Sequence, residues 1–250
     1  MDNNNRKAGS APAADGVSSL NRSILQMLDH VEYRLVTGGE DLEAIYRLRY
    51  QSYLQSGMCG PIESGLFEDR WDDLPNSYRF GVYYDGQLVS TLRLHYISAD
   101  HPNSPSVDAY PEILLPRLAR GETFIDGTRF ATDPANAPSP GVLPFLTLRL
   151  GMVAACYFNP TAVLTPVKVE HGAYYARIFH AIQKTEGKVF PGVLASIALF
   201  EIPSGENLRR TLDRFPFFKS MPTEQRLMFS NPAINRLTPR VIVPTAKFAA

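Results

Sequence analysis

An arginine sits in the middle of an apolar helical face. Between Glu40 and Leu54, the residues Leu42, Ile45, Tyr46, Arg49 and Tyr53 fall within about 100° of arc at roughly 3.6 residues per turn. The side of this helix that must be buried therefore carries Arg49. A guanidinium enters a core only with carboxylates and hydrogen bonds around it. Glu68, Asp69, Asp72 and Asp73 follow, grouped around Trp71. Any fold available to this chain has to close the loop over 57–76 back onto the helix and bring acids to Arg49. Such a cluster is either a polar site or a structural ion-pair network.

The chain of 250 residues is 44% hydrophobic, enough for one large domain. A formal net charge of zero gives no bulk drive toward nucleic acid or an anionic membrane. The charge is unevenly spread. Residues 37–73 hold eight acids against three bases, and residues 205–250 hold eight bases against three acids. The basic end is either solvated surface or a dock for an acidic partner. Cys59 and Cys156 stand far apart with no Cys-x-x-Cys, which argues against a disulfide scaffold and a zinc site of the usual kind. The first ten residues are too polar for a secretory h-region, and no run of about 18 apolar residues exists. The expectation is a cytoplasmic protein without membrane insertion or metal.

Residues 1–18, rich in Asn, Ala, Gly and Ser, predict a disordered tail. Residues 19–250 predict a single domain. Its elements are a short helix over 20–30, a strand over 31–36, the Arg49 helix, the acidic loop, and a hairpin of 79–84 and 87–97 about Asp85-Gly86. A short helix near 110–118 and a strand over 123–131 follow, then a helix over 142–158, a strand over 162–169 and a helix over 171–184. A strand-like stretch over 188–202 and an irregular basic C-terminal segment complete the chain. The order describes one mixed α/β sheet with helices on both faces.

Three further groups stand out. Arg93 shares its strand face with Val89, Thr91 and His95, opposite the leucine face of Leu88, Leu92 and Leu94, and taken alone reads as a surface arginine. Asp126 and Arg129 are three apart, so a regular strand puts them on opposite faces. Gly127 between them marks either a bulge that turns both to one side and frees a backbone amide as an oxyanion donor, or a plain strand with an ion pair at its end. His171 and Tyr175 lie one turn apart at a helix start, where they serve either as proton acceptor and donor or as core aromatics. No P-loop, Gly-x-Gly-x-x-Gly, His-Glu-x-x-His or Gly-x-Ser-x-Gly occurs. The one glycine of the Pro-Ser-Pro-Gly loop before the 142–158 helix is a weak phosphate signal.

Taken together, these pieces over residues 31–203 resemble the N-acyl amino acid synthases and, more distantly, the acyl-homoserine lactone synthases. In the lactone synthases a helix carries Arg-x-x-x-Phe, where this chain has Arg49 and Tyr53. An acidic loop carries Asp-x-x-Asp, here Asp69 and Asp72 bracketing Trp71. The next strand carries an arginine, here Arg93. The bulged strand carries Glu-x-Ser-Arg-Phe, here Asp126 to Phe130 with Asp in place of Glu. Tyr174 and Tyr175 approach the Phe-Tyr-x-x-x-Gly-Phe helix signature, and the usual pyrophosphate loop is missing.

The resemblance implies a GNAT-like fold, a single mixed, mostly antiparallel sheet with helices on both faces. It implies transfer of a long-chain acyl group from an acyl-carrier protein thioester to the α-amine of an amino acid, tyrosine being the expected acceptor, with no cofactor beyond the acyl-carrier co-substrate. Under it, Asp126 takes the amine proton, Tyr175 or His171 protonates the leaving thiolate, and Arg129 stands at the reacting strand. Arg49, Asp69, Trp71, Asp72 and Arg93 hold the amino acid. The basic C-terminal segment would face the acidic carrier. The alternatives are a lactone synthase using S-adenosylmethionine, an acetyl-coenzyme A enzyme, and a non-catalytic lipid- or carrier-binding module.

Overall fold

The computed structural model describes residues 18–133, 135–136, 141–230 and 240–249. The expected disordered tail lies outside them except for Ser18, whose hydroxyl accepts from the Asn21 amide at 3.2 Å and caps the first helix. In chain order the elements are α1 (Ser19–Met27), β1 (Val31–Leu35), α2 (Gly39–Gln55), β2 (Ser77–Tyr84), β3 (Gln87–Ile97), α3 (Pro105–Ala109), α4 (Pro111–Ala119) and β4 (Phe124–Thr132). They continue with α5 (Leu143–Phe158), β5 (Ala162–Lys168), α6 (Gly172–Phe179), β6 (Ile182–Gln183), β7 (Lys188–Val189), β8 (Ser196–Pro203), α7 (Glu206–Arg214), α8 (Pro222–Phe229) and β9 (Arg240–Ile242).

The strands form one sheet in the order β6-β8-β5-β4-β3-β2-β1-β9, with β7 also on β8. Every pair is antiparallel except β4 with β5. The expected mostly antiparallel sheet is therefore present. One face packs on α1, α5, α6 and α8, and the other on α2, α3 and α4. The hairpin turns at Asp85 and Gly86, both at positive φ, which matches the right-handed twist of the flanking strands.

The sequence reading needs correction in two places. The helix expected over 171–184 ends at Phe179, because His180 turns left-handed at φ 57 and closes it. The C-terminal segment is not irregular. It holds α7 and α8, and β9 adds an edge strand against β1. Arg149 of α5 anchors it. This fully buried guanidinium pairs with Glu224 of α8 and donates to the carbonyls of Phe217 at 2.8 Å and Lys219 at 2.7 Å.

The feature that shapes the site is a gap in the sheet. β4 pairs with β5 only from Phe124–Ala162 to Asp126–Leu164. Beyond that the strands part, β5 keeping its partner β8 through Lys168. Pro166, which has no N–H to give a ladder, lies in the parted stretch. β4 bulges where it opens: Thr128 pairs with Arg93 and Ala131 with Thr91, so Arg129 and Phe130 together oppose Leu92. Arg129 takes φ 57 there. The bulge thus falls two residues past the glycine expected to mark it.

Candidate active site

A cavity of about 500 Å³ occupies this gap. Tyr53 and Met58 line it from the α2 side of the sheet, and Leu148 and Tyr175 from the α5 and α6 side. It therefore passes through the sheet between β4 and β5. Gly127, Thr128, Arg129 and Phe130 form one wall and Thr165 to Lys168 the other. Its volume lies within the roughly 300–1,000 Å³ typical of small-molecule sites. Most of the lining is apolar, and no carboxylate is among the lining residues.

The loop acids do close onto Arg49, and Asp69, Asp72, Arg93 and Arg129 join it in one polar cluster on the α2 face. Asp72 Oδ1 accepts from Arg49 Nη1 at 2.8 Å and lies 3.0 Å from Arg93 Nη1. Asp69 Oδ1 accepts from Arg93 Nη1 at 2.5 Å, and its Oδ2 from Arg129 Nε at 2.7 Å. The loop folds on its own acids, since Asp72 Oδ2 accepts from the Asp69 amide and Asp69 Oδ1 from the Trp71 amide. Burial alone would raise Asp69, but Arg93 and Arg129 outweigh it and hold its carboxyl well below the usual carboxylate range. Asp72 is lowered in the same way, Arg49 and Arg93 overcoming burial. Both acids are ionised, as buried partners of guanidinium groups must be.

Arg93, which alone reads as a surface residue, is fully buried beside Arg49. Both faces of β3 are covered, so neither shows a solvent pattern. His95, one pleat on, donates from Nε2 to the Trp71 carbonyl at 2.9 Å. Burial, and then Arg93, push its imidazole down to about 3.

Arg49, Asp69, Trp71, Asp72 and Arg93 are not among the residues that line the cavity. Arg129 is the link, because it lines the cavity and is held by Asp69. Its Nη2 also donates to the Pro191 carbonyl at 3.3 Å, and its guanidinium lies 4.9 Å from the Phe67 ring centre. Gly192 fits closely against it: a Cβ there would sit 2.6 Å from Arg129 Nη2, at a φ of +76°. Tyr53 reaches the bulge from α2, donating to the Phe130 carbonyl at 3.4 Å.

Asp126 stands apart from the cavity lining. The bulge does put it on the same side of the sheet as Arg129, but Arg129 lines the cavity and Asp126 does not. Asp126 is fully buried, with Oδ1 accepting from Ser106 Oγ at 2.7 Å and Oδ2 from the Ser106 amide at 3.0 Å. Burial raises its carboxyl, against the pull of Ser106 and Ser104. It anchors α3 and is not among the residues that line the cavity.

His171 and Tyr175 both line the cavity, His171 at its exposed rim and Tyr175 inside. Burial alone raises the Tyr175 phenol. Three further lining residues escaped the sequence reading as site members: Lys168, Thr165 and Tyr174. Tyr174 stands edge-on to Tyr175 at 5.5 Å between ring centres, and its buried hydroxyl has no hydrogen-bond partner among the described residues. The signal that points to Lys168 is its place at the C-terminal end of a strand next to a sheet gap, which only the pairing register reveals. The Pro-Ser-Pro-Gly loop falls partly outside the described residues. Among the described residues no group of three or more His, Cys, Asp or Glu side chains is placed to hold a metal ion, and no helix is long and apolar enough to cross a membrane.

A solved structure similar to this chain is that of FeeM, an N-acyl amino acid synthase from uncultured soil microbes, at 16% identity and a TM-score of 0.61, covering 74% of this chain and 96% of that one. BjaI, a CoA-dependent acyl-homoserine lactone synthase, matches at 15% identity over 70% of this chain and 82% of its own, with a TM-score of 0.49. The acyl-homoserine lactone synthase LasI gives 14%, 70%, 89% and 0.49. No curated protein matches the chain in sequence. The family model of the N-acyl amino acid synthase FeeM matches residues 44–203, more than half of the chain. The stretch it matches runs from the Arg49 helix through the acidic loop, the bulged strand and the gap to the end of β8, and on it this chain belongs to the FeeM family of N-acyl amino acid synthases, acyltransferases of GNAT-like fold.

Proposed function

We propose that this N-acyltransferase moves a long-chain fatty acyl group from an acyl-carrier protein thioester to the α-amine of an amino acid. The observation that carries the reading is the largely apolar cavity running through the sheet between β4 and β5. A cavity open to both faces admits a thioester and an amine from different sides and brings them together at the gap. The apolar arm beside α5 suits an alkyl chain, and the polar rim suits a charged amino acid.

The reaction needs the thioester carbonyl polarised, the ammonium deprotonated and the thiolate protonated as it leaves. Past Asp126, β4 has no strand partner on its β5 side, so amides of the Gly127–Phe130 stretch are available to the carbonyl oxygen. His171 is the imidazole at the rim of the cavity, and it takes the amine proton. Tyr175, kept protonated by burial, gives its proton to the thiolate as it takes up the second proton that the amine loses on becoming an amide. Lys168 faces the acceptor's carboxylate. Tyrosine is the proposed acceptor, by family resemblance.

An acidic carrier protein is the proposed donor partner, on the basic residues of the C-terminal segment. Helix α7 carries exposed Arg209, Arg210 and Arg214, and Arg214 donates to the Arg177 carbonyl of α6, whose first turn borders the rim. Mass spectrometry of lipid extracts from bacteria expressing the chain, against an empty-vector control, tests the reading. A new series of acyl amino acids spaced by two carbons is expected. A lactone series would move the chain to the sister chemistry, and no new lipid would overturn the transferase assignment.

A further inference from the structure

The arm of the cavity beside α5 ends at a residue with no side chain. Pro144, Leu148, Gly151 and Met152 line it at helical spacing. The first three keep partial accessibility on a helix whose other side, including Leu146, Leu150 and Val153, is fully buried. Their accessible surface is the cavity wall. Depth follows from topology. β4 and β5 are parallel and part at their C-terminal ends, so the gap opens there. Helix α5 runs back from that end to the start of β5. Pro144 is thus near the opening, and Gly151 lies about 10 Å deeper at roughly 1.5 Å per residue. Val163 and Ile202, register partners in β5 and β8, line the same depth.

Glycine in a helix interior is less stable than alanine. Its presence in an otherwise Leu- and Ala-rich helix calls for a reason, and two ordinary ones fail. Gly151 is not at positive φ. A Cβ built on it meets no described atom within 4 Å, whereas one on Gly172 would lie 2.3 Å from the Phe200 ring. Close packing therefore requires glycine at 172 and not at 151. What the missing side chain leaves open is cavity.

We infer that Gly151 sets the length of the acyl chain this enzyme accepts. The bare floor lets the end of a long chain pass, and a side chain there takes the place of its terminal carbons. The inference rests on the acyl-transfer reading above for its catalytic meaning and on the cavity alone for its binding meaning.

The test separates the two. Wild type, Gly151→Ala and Gly151→Leu are titrated with straight-chain fatty acids from octanoate to palmitate by displacement of a fluorescent fatty acid. Thiol release from acyl-carrier thioesters of the same lengths is measured in parallel, and melting temperature reports folding. Gly151→Leu is expected to melt no lower than wild type, to bind the longest chains at least about tenfold more weakly, and to keep its affinity for the shortest. Gly151→Ala should fall between. Thiol release should follow the same order. Length profiles identical in wild type and Gly151→Leu would overturn the inference, as would a uniform loss at every length. A shifted binding profile without thiol release from any thioester would uphold the floor and sink the transferase reading instead.

Discussion

Arg129 and Asp69, 60 residues apart in sequence, meet at 2.7 Å between Nε and Oδ2. The contact joins the acidic loop to the cavity wall. Asp69 also serves Arg93, so a single carboxylate is shared between two guanidinium groups that are almost wholly buried. Asp69→Asn keeps the shape and removes the charge. Leaving buried charges unpaired costs about 3–5 kcal/mol, so the unfolding free energy from urea titration should fall by that amount. Acyl transfer per folded molecule should fall too, because Arg129 loses its hold. Unchanged stability in Asp69→Asn would mean that the cluster does not carry the loop.

His95 gives the fold a pH dependence of its own. Its folded pKa is about 3, while an unfolded histidine titrates near about 6.5. The unfolded state binds more protons between these values, so stability rises with pH. The contribution is complete above about 6.5 and is lost as pH falls toward 3. Near pH 5, unfolding takes up about one proton here, a slope of about 1.4 kcal/mol per pH unit. His95→Gln should flatten the slope of unfolding free energy against pH by that amount between about pH 4 and 6. Asp69 and Asp72, with lowered pKa values, lose their contribution progressively below about pH 5 and cancel in the comparison because both proteins carry them. Equal slopes in the two proteins would refute the assignment.

The elements were legible where local signals were strong. Asp85-Gly86 fixed the hairpin, and the periodicity around Arg49 placed both the helix and its buried charge. Arg93 was not legible alone, because a strand covered on both faces shows no alternation. The bulge was expected from Gly127 but formed at Arg129, since the interruption is set by the register with Leu92. Asp126 sits at the last paired position of β4 and β5, outside the cavity lining, and which residues become the site depends on where the two strands separate. That separation is a property of pairing between distant strands, and no window of sequence contains it. The helices of the C-terminal segment were hidden for a related reason, since Arg149 and Glu224 are 75 residues apart.

The two adjacent tyrosines should respond differently to loss of their hydroxyls. Tyr174 buries a hydroxyl without a partner among the described residues, and an unsatisfied buried group costs about 1–3 kcal/mol. Tyr174→Phe should therefore melt at or above the wild-type temperature. Tyr175 is the proposed acid for the leaving thiolate. Tyr175→Phe should lose about 10²–10⁴-fold in kcat with little change in the melting curve. A larger kcat loss in Tyr174→Phe than in Tyr175→Phe would transfer the role to its neighbour.

Glu224 ties the C-terminal segment to the core from outside the stretch that the family model matches. One of its oxygens accepts from Arg149 Nη2 at 2.9 Å and from the amide and hydroxyl of Thr245 at 2.9 and 2.7 Å. Burial opposes the charge on Arg149, yet Glu224 and Tyr33 hold the guanidinium above its usual value. Glu224→Gln leaves that guanidinium buried without a counter-ion, at a cost of about 3–5 kcal/mol. Replacing Arg149 by Met and Glu224 by Leu together removes both charges and should restore most of the stability, since apolar substitutes for buried pairs are often neutral or better. Urea unfolding of the single and double variants measures the difference. If the segment is an integral part of the domain, the single variant unfolds in one transition at a lower midpoint. A separate early transition, with the main one unmoved, would show instead that α7, α8 and β9 are an appendage.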